Sequence, residues 1–134
     1  MIVIDSSAIV AIFLREPATA ALQAVISAQD GCLLSAANYV ETGQVLRQKF
    51  GPRRPVVDEF NDYLRQSAIE LAPVDEAQAR VALDARIRYG RGFGHPARLN
   101  YSDCFAYALA KVRNLPLLYI GNDFAHTDII PALA

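Results

Sequence analysis

The 134-residue sequence has only two cysteines, two histidines and no tryptophan, and it carries almost no net charge. Cys32 and Cys104 are too few for the disulfide framework of a small secreted domain or for a four-ligand zinc site, so we expect both to be small core residues. His95 and His126 lie too far apart for a zinc motif. Thirteen basic and 14 acidic side chains give a net charge of −1. This balance excludes a polybasic tail, but it permits a basic rim around an acidic pocket.

Long hydrophobic runs are also missing. No apolar stretch reaches the roughly 18 residues of a membrane span, and no Lys or Arg precedes Arg15, as it would in a signal peptide. The glycine-rich stretch 90–94 lacks the spacing of a phosphate-binding loop. We therefore expect a cytoplasmic protein without membrane contact. The 53% of hydrophobic residues is enough for the core of one domain over residues 1–134.

Short apolar runs alternate with helical patterns along the chain. Strands are predicted at residues 1–5, 32–34, 69–72 and 115–120. Helices are predicted at residues 8–14, 17–29, 35–50, 56–66, 75–89 and from 102 through the apolar stretch 104–110. The helix at 75–89 repeats apolar residues every four positions, which predicts its buried face: Ala79, Leu83 and Ile87. Short strands separated by helices predict an α/β fold of three layers, with a central short, mostly parallel sheet flanked by helices.

Three acidic residues are predicted to lie at one edge of this sheet. Asp5 and Asp123 follow the first and last predicted strands, and Asp103 opens the helix that leads into the last strand. Each alone is explained by a structural role as a helix cap or turn residue. However, the carboxyl ends of parallel strands bring residues from distant positions together. The three acids can therefore share one small volume.

Glu41 is the one acid of interest that helix geometry does not bring to this edge of the sheet. On the helix predicted at 35–50, Tyr39, Leu46 and Phe50 form an apolar stripe. Because consecutive helical residues are about 100° apart, Glu41 lies about 200° from Tyr39. Helix geometry alone therefore predicts that Glu41 faces solvent.

Four ionised carboxylates within one small volume would repel one another strongly. At about 6 Å and an effective dielectric constant near 20, each pair costs about 2.8 kcal/mol and six pairs cost about 17 kcal/mol. The stability of a whole domain is typically about 5–15 kcal/mol. Such a cluster must bind protons or a cation, and oxygen ligands at neutral pH favour Mg²⁺ or Mn²⁺.

Four ordered sequence blocks surround these acids. They are Ile-Asp-Ser-Ser-Ala at 4–8, Ser-Ala-Ala-Asn-Tyr-Val-Glu at 35–41, the stretch from His-Pro to Ala-Leu-Ala at 95–110, and Gly-Asn-Asp-Phe through Thr-Asp-Ile at 121–129. Together they resemble the motifs of PIN-domain ribonucleases, and within that family the VapC toxins of type II toxin–antitoxin pairs. The sequence departs from the family pattern at Ser102, where many relatives have glycine, and at Asn122, where an acid is common. Neither departure removes a ligand.

The resemblance implies a PIN-like fold and a Mg²⁺-dependent endoribonuclease, with Mn²⁺ as the alternative ion. It assigns the catalytic and metal-binding roles to the four acids of the blocks: Asp5, Glu41, Asp103 and Asp123. It also implies supporting roles beside the metal ligands for Ser6 and Asn122. Asp128 is expected to stabilise a turn, and His95 is interpreted as a loop residue.

The resemblance further implies three partners: an RNA substrate, a cognate VapB-type antitoxin and a second copy of the chain in a homodimer. Exposed arginines are candidates for RNA contact, from a cluster after residue 46 and another around residue 90: Arg47, Arg53, Arg54, Arg91 and Arg98. Two alternatives remain open. One is a non-catalytic PIN-like module that binds RNA or protein. The other is a phosphohydrolase with Asp5 as nucleophile, although Ser7 stands where that class usually has a second acid.

Overall fold

The computed structural model describes residues 1–133. The strands are β1 (Ile2–Ile4), β2 (Cys32–Ser35), β3 (Ile69–Ala72) and β4 (Leu117–Leu118). The helices are α1 (Ser6–Phe13), α2 (Thr19–Ser27), α3 (Ala36–Phe50), α4 (Val56–Gln66), α5 (Glu76–Tyr89) and α6 (Asp103–Arg113). The predicted bounds of α4 and β3 are confirmed, as is the predicted Asp75 cap of α5.

The four strands form one sheet in the order β3-β2-β1-β4, and every pairing is parallel. The predicted α/β architecture is therefore confirmed. The last strand is shorter than predicted because the backbone N–H of Ile120 donates to the Ser7 hydroxyl (3.1 Å) and not to a neighbouring strand. The Asp5 N–H still donates to the Leu118 carbonyl (2.9 Å). The carboxyl ends of β1 and β4 consequently lie side by side.

The sheet separates two hydrophobic layers. Ile2 and Ile4 pack into the layer that includes Phe60 of α4, whereas Val3 between them packs into the layer that includes Leu109 of α6. This alternation follows from the two-residue period of a strand. Burying each aliphatic side chain of β1 contributes about 1.5–3 kcal/mol, so the strand that ends at Asp5 is firmly held. Both cysteines are buried free thiols, as predicted.

The predicted buried face of α5 is wrong. Leu83 and Ile87 are 63% and 55% exposed, and the buried positions are Gln78, Ala82, Ala85 and Tyr89. Small alanine side chains let α5 pack closely against α6, and the buried Gln78 side chain donates its amide N–H to the Pro73 carbonyl (3.1 Å). The pattern of large apolar residues therefore indicated a surface stripe and not the core. Within residues 1–133, no helix combines the length and apolar character needed to cross a membrane.

Candidate active site

A cavity of about 330 Å³ opens at the carboxyl edge of β1 and β4. Its lining includes all four predicted acids: Asp5, Glu41, Asp103 and Asp123. Two further polar residues that the sequence did not indicate, Glu16 and Asn100, also line it. Five carboxylates from distant parts of the chain therefore face one small volume.

Asp5 is held at the junction of β1 and α1. Its Oδ2 accepts a hydrogen bond from the Ser7 N–H (3.0 Å), so Asp5 caps α1, which is one of the structural roles considered for it from the sequence. The side chain is buried, and this burial raises the pKa of Asp5 to about 6. The Ser7 hydrogen bonds oppose the shift, and the charges of Glu41 and Asp123 add to it. The carboxyl group therefore titrates near neutral pH.

Asp103 is the first residue of α6 and is tied to Asn100. The Asn100 N–H donates to Asp103 Oδ2 (3.0 Å), and the Asp103 N–H donates to Asn100 Oδ1 (2.8 Å). Burial, followed by repulsion from Asp5 and Asp123, raises the pKa of Asp103 to about 8. The charge of Asp5 opposes ionisation of Asp103. Repulsion between these carboxylates is the effect that the sequence led us to expect.

Glu41 lines the cavity, so the prediction of a solvent-facing side chain from helix geometry is wrong. The predicted stripe of Tyr39, Leu46 and Phe50 does pack against the core, but α3 also buries a second, polar line beside it, Asn38 and Thr42. Polar side chains can occupy this line because the Thr42 hydroxyl donates to the Asn38 carbonyl (2.7 Å) and the Asn38 amide donates to the Ser102 carbonyl (3.0 Å). Glu41 lies beside this line and faces the cavity between α1, α3 and α6.

Ser102 connects Glu41 to the start of α6. Its hydroxyl donates to Glu41 Oε2, and its backbone carbonyl accepts the Asn38 amide. Asn38 is fully buried and lies three residues before Glu41 on α3. Sequence reasoning missed Asn38 and Ser102 as site residues. The spacing Asn100-x-x-Asp103 is a capping-box spacing and was the available signal for Asn100.

Of the other candidate residues, some lie at the cavity and some lie outside it. Asp123 lines the cavity, whereas Asn122 is exposed and not part of the lining. Ser6 lies at the cavity, as expected for a residue beside the metal ligands, and its hydroxyl donates to the Asn38 carbonyl (3.3 Å). Asp128 lies elsewhere, where it accepts hydrogen bonds from Tyr107 (2.6 Å) and Lys111 (2.9 Å) that lower its pKa despite partial burial. It fastens the C-terminal segment to α6.

The candidate RNA-contacting arginines lie in two places. Arg47 is in α3, and Arg53 and Arg54 follow the far end of that helix, whose last residue is about 13.5 Å along the axis from Glu41. Arg54 is paired with Glu59 (2.8 Å) and lies over the Phe50 ring. Arg91 and Arg98 lie in the loop between α5 and α6, together with His95, and this loop leads directly to Asn100.

The donor set at the cavity suits a hard divalent cation. All the charged groups that line the cavity are carboxylates, and carboxylate oxygens are the ligands that Mg²⁺ and Mn²⁺ prefer. As the side chains stand, no three His, Cys, Asp or Glu residues within positions 1–133 are arranged to hold one ion together. Ion binding would therefore require the carboxylates to turn towards one another and Asp5 and Asp103 to lose their protons. The residues fit the cation by charge and ligand type.

Comparisons with known proteins identify the family of the chain. The family model of the PIN domain matches residues 2–130. Ribonuclease VapC28 of Mycobacterium tuberculosis is 46% identical over 132 residues, which cover 98% of this chain and 97% of the relative.

Two solved structures have a similar fold. The crystal structure of VapC20 of M. tuberculosis, described as a toxin that cleaves the sarcin–ricin loop, superimposes with a TM-score of 0.78 at 14% identity and covers 100% of both chains. A toxin–antitoxin complex from Klebsiella pneumoniae gives a TM-score of 0.69 at 16% identity and covers 96% of this chain and 93% of that one. At these identities the two structures support the fold alone. The family match and the sequence relative go further: this chain belongs to the PIN-domain family of VapC ribonucleases.

Proposed function

We propose that this protein is a Mg²⁺-dependent endoribonuclease and the toxin of a type II toxin–antitoxin pair. The observation that carries the proposal is the convergence of Asp5, Glu41, Asp103 and Asp123 on one cavity, in a member of a ribonuclease family. The substrate is RNA, and the reaction is hydrolysis of a phosphodiester bond.

Asp5 and Asp103 would hold the ion most directly, with Glu41 and Asp123 completing the site. When bound, Mg²⁺ lowers the pKa of a coordinated water and offsets negative charge on the phosphate. The protein contributes the carboxylates and their orientation. The helices α1 and α6 begin beside the cavity, where the positive ends of their dipoles favour negative charge on carboxylates and phosphate.

The test of this proposal is RNA cleavage by the wild-type protein with Mg²⁺ and with EDTA. Cleavage that requires Mg²⁺ supports the proposal, and activity indifferent to chelation contradicts it. Tight, metal-independent RNA binding without turnover would instead support the non-catalytic PIN-like module.

Replacing Ser102 is expected to weaken the metal site without unfolding the protein. Ser102→Ala removes the hydroxyl that orients Glu41, and loss of such a supporting contact typically reduces metal affinity or activity by about 10- to 100-fold. Ser102→Thr retains the hydroxyl and should restore most of the loss. Mn²⁺ affinity measured by electron paramagnetic resonance checks the prediction, with Ser27→Ala on the exposed side of α2 as control. Equal Mn²⁺ affinity in Ser102→Ala and wild type would refute the role assigned to Ser102.

A VapB-type antitoxin is the proposed partner of the toxin. The concave acidic cavity is suited to an arginine side chain, which can form paired hydrogen bonds with a carboxylate in place of a cation. A cytoplasmic location stays a prediction from the sequence.

We also propose a homodimer through the exposed face of α5. Leu83 and Ile87 lie there beside a groove lined by Tyr101 and Phe105, and contiguous apolar surface of this kind marks contact sites. Charges alternate in sign every four residues along the helix: Glu76, Arg80, Asp84 and Arg88. An antiparallel second copy of α5, centred near Ala82, would bring each of these charges next to a charge of the other sign on its partner. This self-complementarity favours a second copy of the chain as the occupant.

Leu83→Glu is expected to convert the dimer to a monomer. The substitution places a charge within the apolar contact, but its position is exposed, so the fold should be kept. Sedimentation velocity of wild type, Leu83→Glu and the control Val40→Glu, which changes an exposed residue of α3, measures the outcome. A wild-type monomer, or a Leu83→Glu variant that is still dimeric, would argue against this interface.

A further inference from the structure

We propose that the loop at residues 90–100 forms a docking site for the phosphate backbone of single-stranded RNA, next to the acidic cavity. This inference rests on the proposed nuclease function and adds the surface that holds its substrate. The loop encloses a depression of about 540 Å³ lined by two arginines, one histidine and backbone turns: Arg91, Gly92, Gly94, His95, Pro96 and Arg98.

The depression presents hydrogen-bond donors to an incoming ligand. Arg91 and Arg98 are exposed, and within residues 1–133 neither guanidinium has a carboxylate at ion-pair distance. His95 Nδ1 accepts the Ala97 N–H (3.0 Å), which leaves the ring proton on Nε2 as a further donor. No Asp or Glu contributes to the lining. Two free guanidinium groups and an N–H donor around one hollow select an anion, and planar guanidinium groups match phosphate oxygens well.

Buried contacts hold the hollow in shape. The Arg91 N–H donates to the Leu99 carbonyl (2.9 Å), and the Leu99 N–H donates to the Tyr89 carbonyl (2.8 Å). The Arg86 side chain donates to the same Leu99 carbonyl (2.8 Å). The Tyr89 and His95 rings form a T-shaped contact, with their centroids 4.9 Å apart. The backbone that carries the two free arginines is therefore cross-linked and needs little ordering when a phosphate binds.

The hollow is adjacent to the candidate active site along the chain. Arg98 is two residues before Asn100, so their Cα atoms are at most about 7.6 Å apart. Asn100 lines the acidic cavity and is hydrogen-bonded to Asp103. A phosphate chain held by the arginines would consequently continue into the cavity. The basic loop would attract the RNA where the carboxylates alone repel it.

An exposed aromatic ring favours RNA over an acidic polypeptide as the occupant. Phe93 is 55% exposed in the same loop, and the Arg86 guanidinium lies 5.7 Å from the centre of its ring. Cationic side chains interleaved with an exposed aromatic ring are the signature of single-stranded nucleic acid binding, in which a base stacks on the ring. The other arginine cluster differs, because Arg54 is already paired with Glu59 and the Phe50 ring beside it is partly buried against the core.

The experiment measures binding of a fluorescently labelled single-stranded RNA by anisotropy, between about 50 and 200 mM salt. All proteins carry Asp5→Asn, so that cleavage does not interfere. Arg91→Gln and Arg98→Gln are compared singly and together, with Arg113→Gln at the exposed end of α6 as the matched control. Each loop substitution should weaken binding by about 3- to 10-fold and lower the salt slope by about 0.7, and the pair by about 1.4, as expected for contacts to a single strand. The control should leave both quantities unchanged.

A second measurement separates docking from chemistry. In the active protein, the double substitution should raise KM and leave kcat and the cleaved sequence unchanged, because contacts to the backbone carry no sequence information. Unchanged RNA affinity and salt slope in the double variant would overturn the docking site, and so would loss of antitoxin binding with RNA binding retained. If the wild type fails to cleave RNA with Mg²⁺ but the loop substitutions still weaken binding, the proposed nuclease function fails and the docking site stands.

Discussion

Asp5→Asn is expected to reduce Mg²⁺-dependent RNA cleavage by about 1,000-fold or more. A metal ion contributes several kcal/mol of charge stabilisation, and each 1.4 kcal/mol is a factor of ten in rate. Asparagine has nearly the same shape and is an equally good helix cap, so the Ser7 contact at the start of α1 can be kept. The lost activity should therefore reflect the lost charge. Asp58→Asn, at an exposed position in the first turn of α4, is the matched control and should cleave like wild type.

The same substitution should stabilise the folded protein in the absence of metal. An activity loss caused by damage to the fold would lower the melting temperature, whereas removal of a buried carboxylate should raise it. Wild-type activity in Asp5→Asn, or activity lost together with stability, would contradict the role assigned to Asp5.

The stability difference between Asp5→Asn and wild type is expected to grow with pH. The folded-state pKa values of Asp5 and Asp103, about 6 and about 8, are above the value of 3.8 for an unperturbed Asp. A raised pKa means that the folded protein keeps a proton that the unfolded chain has released. The stability tied to these protons is fully present below about pH 4 and is lost as the pH rises through about 6 for Asp5 and about 8 for Asp103. In EDTA, wild type should therefore lose about 2–3 kcal/mol relative to Asp5→Asn by pH 8.

Urea unfolding at several pH values measures this difference directly. The comparison between two variants cancels the contribution of Asp128, whose lowered pKa acts in the opposite direction, towards greater stability at higher pH. Saturating Mg²⁺ should remove the difference or reverse its sign, because the ion stabilises only the protein that binds it. A difference that is independent of pH in EDTA would mean that Asp5 is not a strained buried acid.

The order of helices and strands was predictable because local signals agreed with the fold. Asp75 marks the start of α5, and the apolar run at residues 2–4, which ends at Asp5, favours a short buried strand. Leu83 and Ile87 misled the prediction because a helix packed closely on its neighbour buries alanines, while large apolar residues remain free for another contact. Periodicity identifies an apolar face, but it does not say what covers that face.

The candidate site was predictable from motifs and only partly from geometry. Asp5, Asp103 and Asp123 follow from the rule that parallel strands gather residues at their carboxyl ends. The position of Glu41 could not be predicted in this way, because the buried residues beside it, Asn38 and Thr42, are polar. Asn38 is hydrogen-bonded to Ser102, which lies 64 residues away in the sequence. Tertiary contacts of this kind leave no periodic signal in the sequence.

Titration of Mn²⁺ into the metal-free protein, followed by electron paramagnetic resonance, tests the central claim most directly. If the carboxylates of Asp5, Glu41, Asp103 and Asp123 form one cation site, wild type binds Mn²⁺ saturably and releases protons as it does so. Asp5→Asn should then bind at least about tenfold more weakly, since a negatively charged ligand is lost. Equal Mn²⁺ affinity in the two proteins, or no binding to wild type, would contradict the account.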